Sequence, residues 1–125
     1  MVNKDLLNYT IQLADDVMIL GHRVSEWTGH GPVLEQDIAL TNISLDLIGK
    51  ARNLYQYAAK QEGNGKTEDD YPYKRDAREW TNALLVEQKN GDFAQTIVRQ
   101  FLFDCYHFYH LKALNKSTEI GRAHV

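Results

Sequence analysis

The sequence is poor in the residues that staple or stiffen a chain. Of 125 residues, one is cysteine, Cys105, and two are proline. A single thiol excludes an internal disulfide framework and a cysteine-rich zinc site, and it fits a reducing cytoplasm. Two prolines and eight glycines exclude collagen-like and proline-rich disordered chains. Apolar runs are short, so no membrane-spanning helix is expected. The opening MVNKDLLNYT lacks the apolar core of a signal peptide, so a cytoplasmic location is expected. Basic charge is not in excess either: 14 Lys and Arg stand against 17 Asp and Glu, a formal charge of -3. A non-specific nucleic-acid binder would need a basic face. A phosphate loop, a serine elbow and a dinucleotide fingerprint are also missing. What remains, 43% apolar and 25% charged residues, is the composition of one soluble globular domain.

The periodicity is helical. Leu6, Thr10, Leu13, Val17, Leu20, Val24 and Trp27 recur at alternating spacings of four and three, a packing seam over Lys4 to Trp27. Ile11, Ala14 and Met18 widen it. Gly29 and Gly31 stop this helix, and Pro32 is placed to start the next. The second helix is expected over Val33 to Glu62, with Glu35 and Asp37 in its first turn, where the macrodipole favours acids. Leu34, Ile38, Leu45 and Ile48 make one apolar face. Leu40, Ile43, Leu47, Leu54 and Ala58 make the opposite one. A helix apolar on two sides is buried on two sides.

Gly63 to Tyr73, with the run Glu68-Asp69-Asp70, reads as a solvated loop. A short helix is expected over Lys74 to Val86, then a turn at Lys89-Asn90-Gly91. Asp92 is a natural N-cap, with Gln95 in capping-box position. The last helix is expected over Phe93 to Asn115, with a buried seam of Phe93, Ile97, Phe101, Phe108 and Leu111 and with Ala94, Val98 and Cys105 beside it. No strand signal survives. The fold class is all-α, and antiparallel long helices suggest a bundle. Residues 119–125 carry no seam. They back-translate to a stretch resembling a sequencing-library adapter, so they are set apart from the domain, 1–118.

Few residues could carry chemistry. Asp104 falls inside the expected apolar seam, where a carboxylate must be paired, hydrogen-bonded, protonated or metal-bound. His107 sits three residues on. His22, Glu26 and His30 stand at i, i+4 and i+8, a spacing that can align three ligands, although the wheel sets Glu26 opposite the main seam. No Glu-x-x-His motif occurs, and a carboxylate dimetal bundle would want two. Asp46 and Lys50 form an i,i+4 pair worth ~0.2–0.5 kcal/mol. Cys105, beside an apolar seam, reads as an inert core thiol.

Three stretches carry a family resemblance: LGHRVSEWTGHGP over 20–32, DIALTNISLDLIGKAR over 37–52, and LLVEQKNGDFAQTIVRQF over 84–101. Together they resemble the structural, non-catalytic subunits of ring 1,2-phenylacetyl-CoA epoxidases. Family members are longer, which would make this chain an N-terminal fragment. The resemblance implies a ferritin-like, all-α bundle, here about its first half. It also implies a multicomponent monooxygenase that converts phenylacetyl-CoA to a ring epoxide in aerobic bacterial phenylacetate catabolism. The chemistry would occur at a di-iron site in a homologous catalytic subunit. This chain would pair with that subunit and with the other epoxidase subunits. Neither nucleic acid nor membrane is implied as a partner.

Aligned on the di-iron relatives, Glu26 matches a first-helix carboxylate and Asp104 a third-helix one. Leu47-Ile48-Gly49-Lys50 occupies the place of a Glu-x-x-His. Leucine cannot ligate iron and an ammonium repels it, so Leu47 and Lys50 mark lost ligand positions. Glu26 and Asp104 read as remnants. The implied chain has no catalytic residue, metal or cofactor of its own. Two alternatives stay open. One is an independent metal-binding or oxidase bundle using His22, Glu26, Asp104 and His107. The other is a helical interaction module unrelated to oxygenases.

Overall fold

The computed structural model describes residues 3–116. It contains five helices among these residues and no strand: α1 Lys4–Ser25, α2 Leu34–Glu62, α3 Asp70–Lys74, α4 Leu84–Glu87 and α5 Phe93–Leu114. A 3-10 turn, Ala77–Glu79, lies between α3 and α4. The 119–125 tail lies outside the described residues.

α1 and α2 form an antiparallel hairpin, and the first seam builds it as expected. Asn3 caps α1 by accepting the Leu6 N–H at 3.1 Å. Leu13, Val17, Leu20 and Val24 are buried against Leu40, Leu47, Ala51, Leu54 and Ala58 of α2. The two helices come close at Gly21. A Cβ there would stand 3.0 Å from Ile48 and 3.3 Å from Leu47, and the Ser44 hydroxyl donates to the Gly21 carbonyl at 2.8 Å. The helix ends at Ser25, two residues short of the expected Trp27. The turn that follows is tied by Asp37, whose carboxylate accepts the N–H groups of Gly29 (3.2 Å) and Gly31 (3.1 Å).

Residues 63–90 depart from expectation. The acidic run is not wholly solvated: Asp70 and Tyr71 are buried. Asp70 accepts the Thr67 N–H at 2.7 Å and pairs with Lys74 at 2.5 Å, which starts α3 seven residues into the expected loop. The single helix expected over Lys74 to Val86 is instead broken into α3, the 3-10 turn, an extended stretch and α4. The break has a cause. Residues 75–83 give their side chains and N–H groups to aspartates of α1, and a regular helix would turn most of them away.

α5 begins where the sequence places it. Gln95 N–H donates to Asp92 at 2.8 Å, and the Gln95 side chain accepts the Asp92 N–H at 3.2 Å, a complete capping box. Most of its expected seam faces outward, although Phe93 packs against the core and Leu111 is half-buried. The buried residues are Thr96, Arg99, Gln100, Phe103 and His107. Ile97, Val98, Phe101, Phe108 and Cys105 are exposed, Phe101 to 64%. The inward face carries polar groups, some of which the hairpin and the 88–90 turn meet. Trp27 Nε1 donates to Thr96 Oγ1 at 3.0 Å, Thr96 donates to the Asn90 carbonyl at 2.8 Å, and Phe103 stacks on His107 at 5.0 Å. The apolar stripe faces outward with no comparable cover among the described residues.

Candidate functional site

The best-built polar site is one that periodicity does not single out. Asp15 is fully buried in the middle of α1. Its oxygens accept Tyr55 Oη at 2.6 Å, Arg75 Nη2 at 2.5 Å and Nη1 at 3.1 Å, and both the N–H (3.0 Å) and the hydroxyl (3.2 Å) of Thr81. Arg75 is held from its other sides by the Tyr71 carbonyl at 2.6 Å and by the Trp80 ring, 4.6 Å away. Tyr55 and Tyr71 stack at 5.5 Å, and Tyr71 donates to Glu62 at 2.5 Å. Burial and the Asp15 charge push the Tyr55 phenol well above its usual range. A buried carboxylate is tolerable when it is paired and its lone pairs are filled, and here they are.

Asp16, beside it, is only 7% exposed and accepts one N–H, from Ala83 at 2.7 Å. Burial raises its carboxyl to about 6; the Ala83 N–H opposes the rise and the Asp15 charge adds to it. The signal for both was present. Asp15 and Asp16 sit between Leu13 and Val17, next to Ala14 and Met18, inside the widened apolar arc of α1.

The residues singled out from sequence do not converge. Asp104 is exposed at the edge of the outward stripe, so its expected burial is corrected. It accepts Gln100 Nε2 at 2.9 Å; partial desolvation raises its carboxyl, opposed by that bond and by the Lys50 charge. His107 is buried on the opposite side of that edge. His22, Glu26 and His30 are all exposed. Glu26 pairs with Arg23 at 3.5 Å and accepts Asn90 Nδ2 at 3.1 Å, off the seam as the wheel sets it and not inward as a match to a di-iron carboxylate implies. Leu47 is in the core and Lys50 is exposed, as is Asp46. Cys105 is exposed, which corrects the core-thiol reading. Among the described residues, no three His, Cys, Asp or Glu side chains stand close enough to hold a metal ion.

The second feature is the uncovered apolar surface. On α5 it runs through Val98, Phe101, Leu102, Phe108 and Tyr109; on α2 it runs through Leu34, Ile38 and Leu45, the last 63% exposed. So α2 is apolar on two sides, as read from sequence, and buried on one. Residues 1–125 match the family described as Phenylacetic acid catabolic protein. The chain belongs to that family. Over 102 residues it is 51% identical to a component of the 1,2-phenylacetyl-CoA epoxidase of Escherichia coli (strain K12). That stretch is 82% of this chain and 41% of the relative, so the chain spans about two fifths of the relative's length.

Within this family the all-α architecture is that of a ferritin-like bundle. The residues that the resemblance sets at ligand positions would not fit a di-iron centre. Leu47 has no lone pair to give and is packed against Gly21, and Lys50 brings a positive charge. Glu26 is committed to Arg23 and Asn90. No helix of the described residues is long and apolar enough to cross a membrane.

Proposed function

We propose that this chain acts as a structural, non-catalytic subunit of a multicomponent 1,2-phenylacetyl-CoA epoxidase. It would pair with a homologous subunit that holds the di-iron centre, within aerobic phenylacetate catabolism in the bacterial cytoplasm. The observation that carries this reading is the 51% identity to an epoxidase component. Leu47 and Lys50, where ligands would stand, support the division of labour. In this reading the partner's metal centre supplies oxygen activation, and the residues of this chain hold shape. The Asp15–Arg75 pair fixes the 75–83 crossing to the hairpin. The outward stripes of α2 and α5 offer apolar area for burial, favourable by ~25 cal/mol per Å².

Co-expression with a di-iron catalytic subunit tests the proposal. Expected are co-elution on size exclusion and an iron content that follows the catalytic subunit alone. Iron retained by this chain by itself, and lost in Asp104→Ala, would overturn it in favour of an independent metal-binding bundle. So would failure to co-elute.

A further inference from the structure

The dipeptide Asn-Gly occurs twice in the sequence, at Asn64-Gly65 and at Asn90-Gly91. Such a pair is open to an internal reaction, because glycine has no side chain to shield its backbone nitrogen from the asparagine carboxamide. The fold treats the two pairs differently. Asn90 is half-buried. Its Nδ2 donates to the Arg23 carbonyl at 2.8 Å and to Glu26 at 3.1 Å, and its Oδ1 is shut away from water. Gly91 is crowded as well: a Cβ there would run into Gln95, whose side chain closes the α5 capping box. The Asn90 carboxamide cannot turn onto the Gly91 nitrogen without giving up both bonds and displacing the cap. Gly63, Asn64 and Gly65, by contrast, are all exposed in the turn that leaves α2. Neither the Asn64 carboxamide nor the Gly65 N–H makes a hydrogen bond among the described residues. Two backbone bonds shape the turn, Gly63 N–H to the Ala59 carbonyl at 2.9 Å and Lys66 N–H to the Gly63 carbonyl at 3.1 Å. A Cβ at Gly63 or Gly65 would meet nothing within 4 Å, so the backbone has room to turn. Asn64 itself sits at a φ of 55°, in the left-handed region that costs a side-chain-bearing residue energy to hold. An exposed, sparsely bonded turn of this kind opens at low free energy.

We propose that Asn64 is a site of spontaneous covalent modification in the folded protein, with water as the co-reactant, and that Asn90 is protected from the same reaction by the fold. The Gly65 nitrogen attacks Asn64 Cγ, its proton passes through solvent to the departing ammonia, and a succinimide ring closes. Water then opens the ring at either carbonyl. One opening gives aspartate; the other gives isoaspartate, with the main chain rerouted through the side-chain carbon. One water is consumed and one ammonia released, with no change of oxidation state. The product adds a negative charge to a chain of formal charge -3, beside Lys66 and ahead of the acidic run Glu68-Asp69-Asp70. Isoaspartate also lengthens the main chain by one atom. The open space around Gly63 and Gly65 takes up that atom and leaves the Asp15 hub in place.

Ageing the whole chain at pH 8, followed by mass spectrometry of its tryptic peptides, tests the proposal. Cleavage after Lys60 and Lys66 isolates Asn64 in peptide 61–66, and cleavage after Lys89 and Arg99 isolates Asn90 in peptide 90–99. In the native chain, peptide 61–66 should convert to the acid form, as separable aspartate and isoaspartate isomers, roughly tenfold or more faster than peptide 90–99, whose asparagine is held by two hydrogen bonds. In urea the two rates should converge, because the protection of Asn90 comes from the fold. Isoaspartyl methyltransferase with labelled S-adenosylmethionine should label the aged chain and leave aged Asn64→Gln unlabelled. Circular dichroism should be the same before and after ageing. Peptide 90–99 converting as fast as 61–66 in the native chain, peptide 61–66 staying intact there while it converts in urea, or rates that remain apart in urea would each overturn the proposal. So would equal labelling of Asn64→Gln, or a loss of helicity that accompanies the modification.

Discussion

Replacing Asp16 by asparagine should stabilise this protein, and the gain should depend on pH. In the fold the Asp16 carboxyl is raised from 3.8 to about 6, chiefly by burial. A group whose folded value lies above its unfolded value favours the native state most below the unfolded value, and that advantage is lost as pH rises through the folded one. Between pH 4 and 6 the native state therefore holds the extra proton, and above pH 6 the fold carries a poorly solvated anion beside Asp15. The shift is about two units. At about 1.36 kcal/mol per unit, the ceiling is ~3 kcal/mol. Solvent screening of the carboxylate cuts that to about 1–1.5 kcal/mol. Asparagine keeps an oxygen for the Ala83 N–H, so it loses little and sheds the charge. Melting followed by circular dichroism from pH 4.5 to 8 should show the variant higher by about 4–6 °C at pH 8, with the gap closing toward pH 4.5. A variant that melts lower at pH 8, or a gap that does not change with pH, would refute the placement of Asp16 as a strained buried carboxylate.

Arg75→Met removes the cation from a fully buried Asp15 and should cost about 3 kcal/mol in urea unfolding; adding Asp15→Asn should recover part of it. Leu54→Glu places a charge at a side chain 1% exposed and should abolish the cooperative melt. Leu45→Glu, on the outward face of α2, should change stability by less than about 0.5 kcal/mol yet lower self-association in light scattering.

The hairpin was legible because its signal is redundant. The Leu13–Val17–Leu20–Val24 seam, the two glycines after it and the acids opening α2 all say the same thing. The α5 cap was legible from Asp92 and Gln95 alone. The orientation of α5 was not. Its apolar stripe is the stronger pattern, and periodicity says that a stripe gets buried without saying by what. Here Thr96, Arg99 and Gln100 turn inward toward the hairpin and the 88–90 turn, and the stripe faces out. Asp104 and Cys105 were misplaced with it. The 70–87 region was misread for a different reason. Its conformation is set by Asp15 and Asp16, some sixty residues away, and no local window contains them. The Asp15 hub could have been found by treating any acid within an apolar arc as a demand for partners and asking which arginine could meet it.

That hub also bears on the order of events as the chain leaves the ribosome. Its bonds join residues 60 and 66 positions apart. Once Glu62 has emerged, α1 and α2 hold everything needed to close as a hairpin except a counter-charge for Asp15. Until Arg75 and Thr81 follow, closure must protonate that carboxylate, leave it wet or bury it uncompensated. The nascent hairpin is thus held loose for about the next twenty residues, one to four seconds at bacterial speeds of about 5–20 residues per second. A pause in translation between residues 62 and 81 would prolong the interval in which the apolar faces of both helices are open to chaperones and to other nascent chains.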